Sequence, residues 1–207
     1  MLFEEYKLKN VSLRNRVVMA PMTRNQSPGG VPTDDVISYY SRRAKAEVGM
    51  IITEGIEVSH EASSAYPNVP RLDSNDAKEG WKKVVAGIKN NHGVVIAQLW
   101  HCGGFRKLGM QPNPEVPGHT ASGLVKPGKK VAHEMTLEDI QETIEAYASD
   151  AKICEELGFD GVEIHGAHGY LIDNFLWGGT NIREDVYGGS IEKRSQFVTD
   201  IIRAVRD

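Results

Sequence analysis

One pattern recurs along the chain: a segment with helical periodicity, then a glycine, then a short apolar run. MIIT follows RAKAEVG, VVIAQLW follows AGIKNNHG, and VEIH follows KICEELGFDG, while an earlier run, RVVMAP, opens the series. Apolar runs of this kind are typical of strands buried on both faces, as in parallel sheets. The alternation of strand and helix therefore predicts an α/β fold with a parallel sheet.

Four strand–helix units can be counted, with strands that begin near Val17, Met50, Val94 and Val162. The third helix has a capping box, since Asp139 stands three residues after Thr136, and Gly158 occupies the place of a C-terminal cap. Apolar residues at three- and four-residue steps define the buried stripe of each helix. These stripes are Trp81, Val84, Val85 and Ile88; Ile140, Ile144, Tyr147, Ala151, Cys154 and Leu157; and Phe197, Val198, Ile201, Ile202 and Val205.

The composition fits one globular domain over residues 1–207, with 40% hydrophobic and 25% charged residues. A formal net charge of −4 with interspersed signs gives no indication of a nucleic-acid or membrane partner. The start MLFEEYKLKN lacks the basic and apolar regions of a signal peptide. The two cysteines form no CxxC motif, and Cys154 is expected in the core. We expect a cytoplasmic protein.

Small and polar residues stand at the carboxyl end of every predicted strand, in APMTR, TEG, QLWHCGG and HGAHGYL. Long irregular stretches, 58–73 and 102–135, follow the second and third strands. Parallel α/β folds bind their ligands at the carboxyl ends of strands, and loops of this length are often functional. Polar residues at one strand end can simply begin a loop, but four such ends together predict a ligand site.

These stretches resemble the old yellow enzyme family of FMN-dependent ene reductases, the NADH:flavin oxidoreductases. The motifs that carry the resemblance are LRNRVVMAPMTR, MIITEG, AQLWH, HGAHGYLIDNFL and TNIREDVYGGS. The resemblance implies a (β/α) TIM-barrel fold, with four strand–helix units of an eight-unit barrel in this chain. It also implies hydride transfer from NADH or NADPH through FMN to a small molecule with an electron-poor double bond.

An alternative is a truncated or split half-barrel subunit without independent catalysis. The flavin-phosphate site of such barrels follows the last two strands, which this chain does not include. Four strands alone leave two edges and an apolar inner face uncovered. We therefore expect a homo-oligomer or a complementary half-barrel chain.

The resemblance assigns the FMN contacts to Pro21, Met22, Thr23, Gly55 and Gln98, together with His165. Backbone around Pro21 and Met22 packs on the ring, Thr23 hydrogen-bonds near its C4 carbonyl and N5, and Gly55 gives backbone contact. Gln98 reads the pyrimidine edge. Independently of the resemblance, the position of Gln98 inside an apolar strand supports a ligand at this residue, because a buried amide without a partner costs ~1–3 kcal/mol.

The same resemblance assigns the substrate side to Trp100, His165, His168 and Tyr170. The two imidazoles hydrogen-bond the substrate oxygen and stabilise its developing charge, as an oxyanion hole does. Tyr170 delivers a proton to the alkene carbon, and Trp100 lines the pocket. Gly166 and Gly169 are expected to turn these side chains toward one cavity.

A zinc site is less favoured for the histidine pair, because HxxH lacks the i, i+4 spacing and a third ligand. No metal is therefore predicted. Arg24 remains open, since it either contacts a ligand or is a surface charge. We expect Asn181, Arg183, Asp185 and Tyr187 to hold the loop before the last helix.

Overall fold

A computed structural model describes residues 1–207, which divide into two compact units. Unit 1 comprises residues 1–56, 67–99 and 151–163, and unit 2 comprises residues 57–66, 100–150 and 164–207. The prediction of one domain over residues 1–207 stays a prediction. None of the helices combines the length and apolarity that a membrane span needs.

The helices and strands appear in alternation through most of the chain. The strands are β1 (Tyr6–Leu8), β2 (Val11–Leu13), β3 (Val18–Met19), β4 (Met50–Glu57), β5 (Val94–Trp100), β6 (His119–Thr120), β7 (Leu124–Lys126), β8 (Lys129–Lys130), β9 (His133–Glu134) and β10 (Gly161–Ile164). The helices are α1 (Asp34–Lys45), α2 (Asn75–Lys89), α3 (Leu137–Leu157), α4 (Leu171–Leu176), α5 (Ile191–Arg194) and α6 (Gln196–Arg206). Two 3₁₀ turns cover Pro28–Gly30 and Gly103–Phe105.

The principal sheet has four strands in the order β10-β5-β4-β3. β3 and β4 run parallel, with Val18 opposite Met50 and Met19 opposite Ile51. The four strands begin within one residue of the predicted positions, so the predicted units are confirmed. The predicted first strand is the shortest of them, because only Val18 and Met19 of RVVMAP pair with β4.

The two faces of this sheet differ in exposure. Ile51, Val95 and Ala97 are fully buried. Val18 is 42% exposed, and Ile52 and Ile96 remain partly exposed. Successive side chains of a strand point to opposite faces, so the alternation marks one covered face and one open face.

Two of the glycines that precede the strands are required by close backbone approach. A Cβ on Gly49 would lie 2.4 Å from the carbonyl oxygen of Asn15. A Cβ on Gly93 would lie 2.7 Å from Ile88 Cγ2. The glycine in the repeated pattern thus lets each chain segment turn into its strand without displacing the helix or loop beside it.

Most residues of the predicted helical stripes are buried, and the four exceptions are Leu157, Val198, Ile202 and Val205. Thr136 and Asp139 form the expected capping box, and Gly158 adopts a φ of +89° after α3. Cys154 is fully buried, as predicted, but Leu157 is only partly buried. In α6, Phe197 and Ile201 are the buried residues. Ile202 is 45% exposed, so the predicted stripe of α6 is too wide.

Unit 2 contains short strands where sequence analysis predicted an irregular stretch. β6 pairs with β9 in parallel, and β7 pairs with β8 in antiparallel. These two- and three-residue strands lack the periodic signal of longer ones. The antiparallel strands β1 and β2 near the N-terminus have three residues each, and they were not predicted for the same reason.

The open face of the sheet should make this 207-residue chain associate in solution. Exposed aliphatic side chains forfeit ~1.5–3 kcal/mol each, and unpaired strand edges promote association. Val18→Lys should weaken self-association by about tenfold or more, measured by sedimentation velocity at micromolar concentration. Val131→Lys is the matched control, because Val131 is 63% exposed and is not a residue of this sheet. A compact monomer that unfolds cooperatively would contradict this prediction.

Candidate functional site

In unit 1, the segment after β3 presents the side chains that sequence analysis assigned to a cofactor. Met22 is 47% exposed, Thr23 is exposed, and Pro21 is partly exposed. The backbone N–H of Arg24 donates to Glu54 Oε2 at 2.9 Å. This bond ties the segment to β4, so its exposed residues are held in place by a buried group.

Glu54 is fully buried, and burial raises the pKa of its carboxyl group. Its backbone N–H donates to the hydroxyl of Tyr40 at 2.8 Å. Gly55 follows, also buried, and has no side chain to separate a ligand from the β4 backbone. The guanidinium of Arg24 lies 4.8 Å from the centre of the Tyr39 ring, which places it against α1.

Gln98 has a partner inside unit 1, contrary to the argument that only a ligand satisfies it. Its Nε2 donates to Glu163 Oε1 at 2.6 Å, and its backbone N–H donates to Thr53 Oγ1 at 3.2 Å. A carboxylate oxygen only accepts, so the amide nitrogen of Gln98 must face Glu163. The amide oxygen of Gln98 is therefore the atom left to accept a hydrogen bond from a ligand.

These residues fit an FMN ring. An isoalloxazine has apolar faces and a pyrimidine edge that carries one N–H between carbonyl groups. Met22 supplies exposed apolar surface, Thr23 supplies an exposed hydroxyl, and Gln98 supplies an oriented acceptor for the N–H. The apolar surface, the hydroxyl and the acceptor that unit 1 offers thus match the ring in chemical kind.

In unit 2, the structure brings the four substrate-side residues together. The ring centres of His165 and His168 are 5.3 Å apart, and His165 and Tyr170 are also 5.3 Å apart. Tyr170 packs edge-on against Trp100 at 4.9 Å, and Trp100 lies 6.1 Å from His165. Two imidazoles, a phenol and an indole therefore form one aromatic cluster.

The backbone of HGAHGYL explains how the cluster forms, and it corrects one expectation. The left-handed residues are His168, with φ +63°, and Gly169, with φ +75°. Gly166 is not in that region, so the predicted role of Gly166 is wrong. Gly169 N–H donates to Asp173 Oδ2 at 2.7 Å, and Tyr170 caps α4. The turn directly after β10 presents all three side chains before the helix starts.

Two groups in the cluster have hydrogen-bonding and acid–base properties that suit a ligand. Trp100 is 3% exposed, and its indole Nε1 has no acceptor within the protein. Burial raises the pKa of the Tyr170 phenol, with a smaller contribution from the hydrogen bond to Tyr66. Tyr170 therefore keeps its proton at neutral pH, as a general acid requires.

Sequence analysis missed Tyr66 and Phe105, which complete the wall around Tyr170. Tyr66 stacks on Trp100 with ring centres 5.5 Å apart, and Phe105 lies 4.7 Å from Tyr170. A cavity of about 390 Å³ beside them is also lined by Lys107 and Met110. Both missed residues lie in the long stretches that follow β4 and β5, and that length was the only available signal.

A second aromatic group, also in unit 2, consists of four histidines. His101 Nε2 lies 3.1 Å from His60 Nδ1, and His119 packs between His60 and His133 at 5.3 and 4.6 Å. Gly103 N–H donates to His101 Nδ1 at 3.0 Å. A ring nitrogen that accepts carries no proton, so His101 is neutral and donates through Nε2 to His60.

The polar loop before α6 is held as predicted. Asn181 Nδ2 donates to the carbonyl oxygens of Phe175 and Tyr187, at 2.7 Å each. Arg183 Nη1 donates to Ala121 O at 2.7 Å, and its Nε donates to Asp185 Oδ1 at 3.1 Å. These side chains thus join the loop to the 121–135 region, and the expected loop-holding network is confirmed.

Comparison with known proteins assigns the chain to a class. Residues 1–207 match the model of the NADH:flavin oxidoreductase / NADH oxidase family. The chain is 37% identical over 216 residues to 12-oxophytodienoate reductase 7 of Oryza sativa subsp. japonica. The aligned region covers 99% of this chain and 54% of the relative. Morphinone reductase in complex with tetrahydroNAD superposes with a TM-score of 0.89 at 34% identity, with 99% and 60% coverage. Old Yellow Enzyme from Pichia sp. AKU4542 superposes with a TM-score of 0.91 at 34% identity. This superposition covers 99% of this chain and 55% of that enzyme.

The fold and the matched sequence define a flavin-dependent oxidoreductase class with a barrel of alternating strands and helices. The chain belongs to the NADH:flavin oxidoreductase family, and the resemblance to old yellow enzymes is confirmed. The predicted (β/α) barrel-type fold with four strand–helix units is confirmed as well. The chain spans about half the length of the curated relatives it matches.

The buried histidines should make stability depend on pH. Burial lowers the pKa of His119 from 6.5 to about 4, and burial also lowers the pKa of His60 and His101. The charged groups facing them are Asp139 and Glu61, which oppose the shift, and Arg106, which adds to it. Below pH 6.5 the unfolded chain therefore binds protons that these histidines do not bind in the folded chain. The contribution of the neutral histidines to the free energy of unfolding is thus fully present above pH 6.5 and decreases as the pH falls below that value.

The urea midpoint, followed by tryptophan fluorescence, should be lower at pH 5 than at pH 7.5. His119→Gln should flatten this dependence by on the order of 2 kcal/mol. His92→Asn is the control, since His92 is exposed, and asparagine tolerates its φ of +56°. An unchanged midpoint between the two pH values in the wild type would contradict the prediction.

Proposed function

We propose that this protein is an FMN-dependent ene reductase, which passes hydride from NADH to an activated alkene. Family membership supports flavin oxidoreduction. The observation that carries the finer proposal is the cluster of two imidazoles, one phenol and one indole in unit 2. That set can bind a carbonyl or nitro oxygen and protonate the adjacent double bond.

In unit 1, Thr23 and Gln98 would hold the flavin ring, with Pro21, Met22 and Gly55 against its face. FMN, when bound, supplies the hydride and accepts it from the nicotinamide. Gln98 is pre-oriented for this role, because its bond to Glu163 leaves the amide oxygen as the acceptor. His165 is assigned to both cofactor and substrate, following the family resemblance.

In unit 2, His165 and His168 would donate hydrogen bonds to the substrate oxygen. Negative charge develops on this oxygen as the alkene is reduced, and two fixed donors stabilise it more than water does. Trp100 contributes a wall and a buried N–H without an acceptor in the protein. The donors lie on the turn between β10 and α4, which the bond from Gly169 N–H to Asp173 Oδ2 ties to the helix.

Tyr170 would give its proton to the alkene carbon. Its phenol is protonated at neutral pH because burial raises its pKa. Hydride addition to one alkene carbon would leave negative charge shared between the substrate oxygen and the other alkene carbon, and that second carbon would take the proton of Tyr170. The Tyr170 ring packs against Trp100 at 4.9 Å and against Phe105 at 4.7 Å between ring centres, and these contacts hold it in the cluster.

The hydride source can be stated in part. Morphinone reductase has been solved with tetrahydroNAD, which supports an NADH-type reductant here. Use of NADPH stays a prediction, and so does the substrate class, a small molecule with an electron-poor double bond. A visible spectrum of the purified protein tests cofactor binding: flavin bands near ~450 nm support the proposal. A colourless protein that FMN cannot reconstitute supports the half-barrel alternative.

Tyr170→Phe should slow alkene reduction by ~10²-fold or more, the usual scale for loss of a general acid. Reduction of the flavin by NADH should remain nearly unchanged, because that step takes no proton from Tyr170. Stopped-flow measurement of the two half-reactions separates these effects. Tyr6→Phe is the control, since Tyr6 is an exposed tyrosine of β1. Equal losses in both half-reactions would remove Tyr170 from this role.

His165→Ala and His168→Ala should each weaken the binding of phenolate ligands, which mimic the charged oxygen, by about tenfold or more. Titration of the flavin absorbance with a phenol measures this affinity. His92→Ala, an exposed histidine of unit 1, should bind phenolates like the wild type. Unaltered phenolate affinity in both cluster variants would show that the imidazole pair does not bind the substrate oxygen.

A further inference from the structure

The hydroxyl of Tyr170 has a second phenol beside it. Tyr66 Oη lies 3.3 Å from Tyr170 Oη, and either oxygen can be the donor. This is the hydrogen bond that the structure gives the Tyr170 hydroxyl. A residue 104 positions earlier in the chain therefore faces the atom assigned to proton transfer.

Tyr66 packs against the aromatic cluster and is also partly open to solvent. Its ring stacks on Trp100 at an interplanar angle of 24°. Just before it, Ser64 O accepts from Arg106 Nη1 at 2.6 Å, and Ala65 N–H donates to the buried Glu57 at 3.3 Å. Tyr66 itself is 37% exposed. Tyr66 thus contacts the Tyr170 hydroxyl and is also accessible to solvent.

We infer that Tyr66 positions the Tyr170 hydroxyl and returns a proton to it after each turnover. This inference rests on the proposed function, in which Tyr170 is the proton donor. The Tyr170 O–H bond breaks, and its proton forms the new C–H bond on the substrate. The Tyr66 O–H proton then passes to the Tyr170 phenolate, and Tyr66 takes a proton from solvent. The two transfers that restore Tyr170 carry one proton from solvent to its hydroxyl, and they change no oxidation state.

Two features favour this route. Burial raises the pKa of the Tyr170 phenol, so its phenolate, once formed, is basic enough to take a proton from a phenol in contact with it. Trp100 and Phe105 cover the ring of Tyr170, and a bound substrate would add to that cover, so a donor already in contact shortens the path from water. Tyr66 reaches the hydroxyl and not the reacting carbon, so it acts through Tyr170.

Tyr66→Phe is the informative variant, because it removes the hydroxyl and keeps the ring that stacks on Trp100. With pre-reduced enzyme, it should slow alkene reduction by about 3- to 30-fold, less than Tyr170→Phe. The double variant should be no slower than Tyr170→Phe alone. Flavin reduction by NADH and the thermal midpoint should match the wild type. Tyr6→Phe is the matched control for loss of an exposed tyrosine hydroxyl.

A second measurement does not depend on the cofactor. In protein labelled with ¹³C at tyrosine Cζ, the Tyr170 resonance is the one absent from Tyr170→Phe. It should shift, and its titration midpoint should move, in Tyr66→Phe but not in Tyr6→Phe. A purely structural Tyr66 would leave the Tyr170 resonance in place and give losses that multiply in the double variant.

The outcomes separate this inference from the function on which it rests. If Tyr170→Phe slows the alkene step while Tyr66→Phe leaves both the rate and the Tyr170 resonance unchanged, the inference is overturned and the proposed function stands. If Tyr170→Phe reduces the alkene at the wild-type rate, the proton donor is misassigned, and both fall. Slowing in Tyr66→Phe without further loss in the double variant supports both.

Discussion

Backbone pairing in the sheet β10-β5-β4-β3 is the constraint on which the rest of unit 1 depends. Parallel strands cannot be joined by tight turns, so each pair needs a crossover, and here α1, α2 and α3 provide it. In a parallel sheet of this kind, the carboxyl end of every strand leads into a connection on the same edge. The ends of the strands and the connections after them hold every residue that we assign to cofactor or substrate.

Buried charged and polar groups fix these connections at their bases. Glu54 accepts the Arg24 N–H and so holds the exposed Met22 and Thr23 segment. Glu57 and Arg106 do the same for Ser64 and Ala65, directly before Tyr66. A buried charge that is left unpaired is costly, so each of these contacts resists displacement. Mobile loops would lose this positional control, and the proposed chemistry needs it.

The aromatic cluster and the histidine group show how similar residues acquire different uses. His165 is partly exposed and His168 is exposed, and both lie beside the phenol of Tyr170. His60, His101 and His119 are held as neutral rings by burial. Imidazoles of the first kind can donate to a ligand, whereas the second kind tie loops together and make the fold sensitive to acid.

Local periodicity and motifs within short segments predicted the four strands of the principal sheet with the helices between them, the capping of α3, the burial of Cys154 and the family. The short strands β1, β2 and β6 to β9 have no such local signal. The sequence also indicated Trp100, His165, His168 and Tyr170 as a group through the resemblance. Tertiary structure decided that Gln98 pairs with Glu163, that His168 and not Gly166 takes the left-handed turn, and that Tyr66 reaches Tyr170. Such contacts join residues 65 to 104 positions apart, or depend on the packing around a turn, and no local pattern of side chains encodes them.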